Sequence, residues 1–182
     1  AVASRTQSLT LGTAVTPLPR RRPQVVAQQA ATLDTLSGGR VVLGAGLGGN
    51  RREFEEFGED FDEHGRARLL DDGLGLVRRL WPGPIWIGGN SGPALRRASR
   101  WDGWIANSVG KEGMTMTPDE LARKAQTIAR PGFEIAVNGW SAPGDDELRA
   151  AYADAGATWW LENLGDARFA AADALARASR RP

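Results

Sequence analysis

Apolar and polar positions change period repeatedly along this chain. Leu9 to Val15 ("LTLGTAV") is a short apolar, β-branched run and predicts a strand. Pro23 stands where a first helical residue is favoured. Val26, Ala30, Leu33 and Leu36 then recur at helical spacing until Gly38-Gly39 stops the helix. Val41 to Leu43 predicts the next strand, and "GAGLGGN" follows it. Leu70, Leu74, Val77, Leu80 and Trp81 line one face of a second helix. Pro84 to Ile87 reads as a strand, Pro93 to Arg100 as a helix, and Gly103 to Asn107 as a strand. "TPDE" at Thr117 to Glu120 is a capping box with proline at the first helical position; Leu121, Ala125 and Ile128 carry that helix. Phe133 to Asn138 predicts a strand, Asp145 to Ala155 a helix ended by Gly156, and Thr158 to Leu161 the last strand. Asp166 is placed to cap a final helix with Phe169, Ala172 and Leu175 on its buried face.

These are six strand–helix units in a single domain spanning 1–182. Regular alternation of this kind predicts a parallel sheet with helices outside it, an α/β fold. An open doubly wound sheet accommodates six strands, whereas a complete (β/α) barrel needs eight and typically about 250 residues. Length alone favours the open sheet.

Composition changes the picture mainly by exclusion. The 182 residues suffice for one domain with a core, and 41% hydrophobic content is ordinary for a globular protein. A formal net charge of +1 points to no nucleic-acid or anionic-membrane partner. Absence of cysteine excludes disulfides and thiolate metal sites, and the single histidine excludes a multi-histidine metal centre. No apolar run approaches the roughly 20 residues that span a bilayer, and Ala1 to Thr10 does not read as a signal peptide, so a cytoplasmic setting is expected. The bias towards Ala, Arg, Gly and Trp over Lys, Ile and Asn is that of a high-GC bacterial coding sequence.

The candidate chemistry lies after the strands, where parallel α/β folds hold ligands. Gly88 and Gly89 follow the strand at Pro84 to Ile87. Without Cβ atoms their N–H groups can approach an anion closely, and Asn90 and Ser91 lead into a helix N-terminus. Ser108 and Lys111 follow the next strand and are expected to converge on the same anion; a glycine turn and a solvated lysine is the plainer reading. "GAGLGG" at Gly44 to Gly49 lacks the spacing of a dinucleotide fingerprint. Arg20, Arg21 and Arg22 precede a helix, where the macrodipole disfavours cations, so contact with an anionic tail competes with ordinary surface arginines. His64, in the charged stretch "FDEHGRAR", reads as a surface histidine. Glu134, Ala136 and Asn138 share one strand face and Glu162 closes the last strand; either carboxylate reads as pocket-lining or as a paired structural acid.

The stretch "LGTAVTPLPRRRPQVVAQQAATLDTLSGGRVVLGAGLGG" at Leu11 to Gly49 resembles the luciferase-like monooxygenase family. The resemblance continues through "EFEEFGED", "RARLLDDGLGLVRRLW", "PIWIGG", "RRASRWDGW" and "AGATWWLE". It implies a flavin- or deazaflavin-dependent oxidoreductase on a (β/α) TIM-type barrel, here partial, with about six parallel strands and outer helices. Two strand–helix units before Leu9 and a segment between "RRLW" and "PIWIGG" are absent relative to the family pattern. The chain therefore reads as a shortened member, and the family's usual acid/base positions, near the end of the second strand, fall in the absent part. The catalytic residues are accordingly unassigned.

By that resemblance, Gly88, Gly89, Asn90, Ser91, Ser108 and Lys111 hold the coenzyme phosphate. Gly46, Leu47 and Gly48 pass beside the ring. "GTAVTP" holds a β-bulge with a cis peptide at Ala14-Val15 that backs the ring. FMN-using members often carry arginine where Leu47 stands, so the expected cofactor is the deazaflavin F420 in preference to FMN. The expected partners are a small-molecule substrate and further copies of the chain, in a homo-oligomer, with no metal. A non-catalytic flavin-binding or assembling module and, by fold analogy alone, a phosphate-binding isomerase or lyase stand as competing classes.

Overall fold

The computed structural model describes residues 1–110, 113–128, 130–142, 144–164, 174–175 and 178. The chain folds as two compact units, Ala1–Trp104 and Ile105–Pro182. The expected final helix capped by Asp166 lies outside the described residues, apart from isolated positions.

The first unit begins with a short helix α1 (Val2–Arg5) and a first strand in two pieces, β1 (Leu11–Gly12) and β2 (Thr16–Pro17). A 3₁₀ turn (Leu18–Arg20), α2 (Pro23–Ser37), β3 (Val41–Gly46), α3 (Arg52–Glu55), α4 (Glu63–Leu80), β4 (Ile85–Gly88) and α5 (Gly92–Ala98) follow. β3 pairs in parallel with β1, β2 and β4. All six residues of β3 are buried, as expected of a strand covered on both faces. Asp62 caps α4 by accepting from the N–H groups of His64 and Gly65. These hydrogen bonds, led by that from Gly65, hold the Asp62 carboxyl below the usual aspartate range. Proline at the first turn and left-handed Gly38 (φ +73°) bound α2, as read from the sequence.

α2 and the preceding 3₁₀ turn both pack on α4, and Gly73 permits the close approach of the turn, since a Cβ there would stand 3.1 Å from Leu18. Leu70, Leu74, Val77 and Trp81 are buried as expected, whereas Leu80 is exposed at the helix end. On α2, Val26 and Ala30 are buried, but Leu33 and Leu36 are not. Leu33 opens onto a cavity of about 460 Å³, whose walls include Leu11, Val26, Gln29, Ala30 and Val41.

β5 (Gly103–Asn107) opens the second unit's sheet. A short antiparallel hairpin, β6 (Val109–Gly110) and β7 (Gly113–Met114), intervenes before α6 (Pro118–Ala125), β8 (Glu134–Gly139), α7 (Asp146–Asp154) and β9 (Trp159–Glu162). The strand order is β5-β8-β9, with β8 and β9 parallel. The Thr117–Glu120 capping box forms in full. Leu121, Ala136, Val137 and Tyr152 are buried to within 1%.

Six parallel strands with intervening helices match the shortened (β/α) barrel class implied by the resemblance. Among the described residues β1 pairs only with β3, and β9 only with β8.

Candidate functional site

The first strand departs from regular pairing at the point singled out in "GTAVTP". Gly12 is opposite Val42 and Thr16 opposite Ala45. Three residues, Thr13, Ala14 and Val15, therefore face two, Leu43 and Gly44, which is a β-bulge of one residue. Thr13 Oγ1 donates to the Gly44 carbonyl at 2.8 Å and receives the Thr16 hydroxyl at 3.1 Å, tying the bulge together. The Ala14-Val15 peptide bond is cis.

The bulge delivers Val15 onto the C-terminal ends of the two neighbouring strands. A Cβ built on Gly46 would stand 3.0 Å from Val15 Cγ2, and one on Gly88 would stand 2.7 Å from Val15 Cγ1. Glycine at both positions is thus a packing requirement. The result is a strand-end surface in which the Val15 side chain lies over two glycines, Gly46 and Gly88.

Gly89 continues that surface with φ +123°, a backbone state that L side chains rarely adopt. Its carbonyl accepts the indole N–H of fully buried Trp104 at 2.8 Å. Ser91 caps α5, its Oγ accepting from Ala94 N at 3.3 Å, and Asn90 is half-buried between them.

Beside β3, the loop of Leu47 and Gly48 is held by a residue not singled out in the sequence. Arg66, 7% exposed on α4, donates through Nη1 to the carbonyls of Gly48 (2.7 Å) and Leu47 (3.4 Å) and through Nε to that of Asp62. Its guanidinium lies 3.7 Å from the Phe61 ring centroid and 5.0 Å from that of Phe54. Arg20 stacks on Phe54 as well and pairs with Glu53 and Glu59, which gives one of the three N-terminal arginines a local role. Arg21 lines the 460 Å³ cavity.

In the second unit, Ser108 is wholly buried. Its hydroxyl donates to the Met116 carbonyl (3.2 Å) and accepts the Met116 N–H (3.0 Å). Tyr152 donates to the same carbonyl, and burial pushes its phenol above the usual tyrosine range. Ser108 is engaged within its own loop, and Lys111 lies outside the described residues. Glu134 accepts from Thr158 Oγ1 and Trp159 Nε1; Glu162 accepts from Ser141 N, Ser141 Oγ and Trp160 Nε1. Both carboxylates are structural anchors, the second of the alternatives drawn from the sequence. Asn138 donates to Asn107 Oδ1 at 3.0 Å, joining the ends of β8 and β5. His64 is exposed, and its backbone N–H serves the Asp62 cap. Among the described residues no cluster of acids and histidine is arranged to hold a metal, and no helix is long and apolar enough to cross a membrane.

An F420-dependent glucose-6-phosphate dehydrogenase of Amycolatopsis mediterranei is 34% identical over 149 residues, covering 66% of this chain and 44% of the relative. The crystal structure of monooxygenase RslO1 from Streptomyces bottropensis superposes with a TM-score of 0.62 at 20% identity, over 84% of this chain and 56% of that one. An F420-dependent secondary alcohol dehydrogenase, in complex with an F420-acetone adduct, gives 0.62 at 20% identity, over 80% and 54%. The chain spans about half the length of the curated relatives it matches. The family model for luciferase-like monooxygenases matches residues 1–181, and the chain belongs to that family.

Proposed function

We propose that this chain forms the coenzyme-binding part of an oxidoreductase in which F420 exchanges a hydride with a small organic substrate. The observation that carries this reading is the Val15 side chain lying across Gly46 and Gly88 at adjacent strand ends. A flat ring needs a flat backing, and a Cβ at either glycine would fill the space that Val15 occupies. Relatives named for F420 dependence support the same cofactor.

When bound, the deazaflavin supplies the hydride chemistry, and the protein supplies position and surroundings. Val15 presents a branched apolar surface to one ring face and keeps water from it. The Leu47–Gly48 loop, fixed by Arg66, borders the ring edge. Gly88, Gly89 and Ser91 offer backbone and hydroxyl donors for a phosphate. Leu47 offers no guanidinium, which favours F420 over FMN. Ser108 supports its own loop from within, through both backbone polar groups of Met116.

Titration with F420 and with FMN, followed by absorbance and fluorescence, tests the reading. Saturable F420 binding at least roughly tenfold tighter than FMN, about the effect of one charge-assisted contact, is expected. No saturable binding of either overturns it.

A further inference from the structure

The loop after β3 holds two backbone donors whose direction is set by a buried cation. The hydrogen-bond acceptors of Arg66 among the described residues are all carbonyl oxygens, those of Leu47, Gly48 and Asp62. A guanidinium at 7% exposure is thus neutralised by peptide dipoles and by the faces of Phe54 and Phe61.

The Leu47-Gly48 and Gly48-Gly49 peptides are trans. In a trans peptide the N–H points opposite to the C=O. Both carbonyls converge on one nitrogen, Arg66 Nη1, so the N–H groups of Gly48 and Gly49 both project away from it. Neither N–H has an acceptor among the described residues. Gly49 is exposed, and a Cβ there would meet nothing within 4 Å, so the loop is open at this residue. Gly48 has little freedom to turn away: its φ is +79°, and a Cβ on it would stand 3.0 Å from the Phe54 ring and 3.1 Å from Pro17.

We propose that the N–H groups of Gly48 and Gly49 form a two-donor site for a negatively charged or strongly polarised oxygen of a bound ligand, with Arg66 as the positioning residue behind it. The guanidinium fixes both peptide planes before the ligand arrives, so reorganisation is small, as in an oxyanion hole. It also polarises both peptides in the direction that strengthens their donors. This site is separate from the phosphate loop at Gly88–Ser91. The oxygen belongs either to the substrate or to the ring of the coenzyme.

Amide ¹H–¹⁵N spectra of the protein, titrated with acetate, with inorganic phosphate and with a deazaflavin lacking its phosphate tail, test the proposal. A saturable downfield movement of the Gly48 and Gly49 amides is expected with at least one probe. A response to the small anions assigns the site to a substrate oxygen, and a response to the deazaflavin assigns it to the ring. Arg66→Lys, which keeps the charge and loses the fork, is expected to weaken that response roughly tenfold, and Arg66→Met to weaken it further. Gly49→Pro deletes one donor at the exposed side of the loop and is expected to abolish the response without touching the Arg66 stack. Still Gly48 and Gly49 amides under all three probes would overturn the proposal, as would unchanged affinity in Gly49→Pro. Movement confined to Gly88 and Gly89 would overturn it while leaving the phosphate reading standing.

Discussion

Val15 and Gly88 are in van der Waals contact across two strands, and the contact leaves no room for a methyl group on the glycine. The Cβ of an alanine at position 88 would stand 2.7 Å from Val15 Cγ1, closer than real side chains approach. Gly88→Ala is therefore expected to displace Val15 and destabilise the fold by about 1–3 kcal/mol, the usual range for overpacking. F420 affinity should fall with it. Gly49→Ala, where the Cβ meets open space, is the control and should stay within about 0.5 kcal/mol. Urea unfolding of both variants, with the coenzyme titration repeated, checks this.

Leu47→Arg adds the guanidinium that favours FMN in the reading above. Leu47 is half-buried and its carbonyl already bonds to Arg66, so the side chain can change while the loop keeps its shape. FMN affinity should rise relative to F420, by roughly tenfold for one charge-assisted contact. Parallel titrations of the two cofactors measure the ratio; an unchanged ratio would remove Leu47 as the selector.

Tyr152 contributes to stability on the alkaline side. Burial raises its folded-state pKa above the unfolded value near 10, the Ser108 hydrogen bond lowers it and Glu120 raises it. Because the folded value is the higher one, the associated stability is complete below about pH 10 and is lost as pH climbs through the folded pKa. Tyr152→Phe should lower stability at neutral pH by about 1 kcal/mol, through the lost bond to Met116, and flatten the decline above pH 10. Unfolding curves between pH 7 and about 11.5 show both effects.

Asp71 acts at the acid side. Its carboxylate takes Arg97 Nε at 2.8 Å and Nη2 at 3.0 Å, with Arg100 at 3.0 Å. The Arg97 hydrogen bond is the leading cause of its lowered pKa, opposed by desolvation. A lowered folded pKa gives stability that is present above the unfolded value near 3.8 and lost as pH falls through the folded one. The Asp71 side chain is 40% exposed, so solvent screening limits the effect to about 1 kcal/mol or less. Asp71→Asn should remove this part of the acid transition, as read by unfolding at pH 2 to 6.

Self-association is expected of this chain. β1 and β9 each pair on one side only among the described residues, and Leu9, Leu33 and Leu36 on the β1 side are 56%, 45% and 62% exposed. Sedimentation should show a mass above that of one chain, and Leu33→Lys with Leu36→Lys should reduce it. A monodisperse monomer across the micromolar range would refute the expectation.

The six strands and the bulge at Ala14-Val15 were legible because strand periodicity and a long family-like block both mark them. Arg66 was not. A helix face written RARLLDD shows an arginine at a position that solvent normally takes, and only the fold reveals two phenylalanines and three carbonyls around it. Leu33 and Leu36 misled for the opposite reason. Helical spacing identifies an apolar stripe but not whether anything covers it, and here Leu33 borders a cavity while Leu36 is exposed. α3 and the β6–β7 hairpin were missed because four-residue and two-residue elements carry too little periodicity to read. Glu134 and Glu162 could be placed on strands, but Thr158, Trp159 and Ser141 meet them only across the sheet and its loops, and only Trp160, two residues before Glu162 on β9, is a local partner.

The three-against-two offset at Thr13–Val15 makes this stretch more sensitive to length than to identity. Deleting one residue there would leave two residues facing Leu43 and Gly44, with Thr16 still opposite Ala45, and the bulge that carries Val15 onto Gly46 and Gly88 would be lost. Substitutions at Ala14 leave that count intact. Among descendants of this sequence, changes of letter should therefore accumulate at Ala14 long before a gap does, although the segment lies outside the regular strands, where gaps are ordinarily most common.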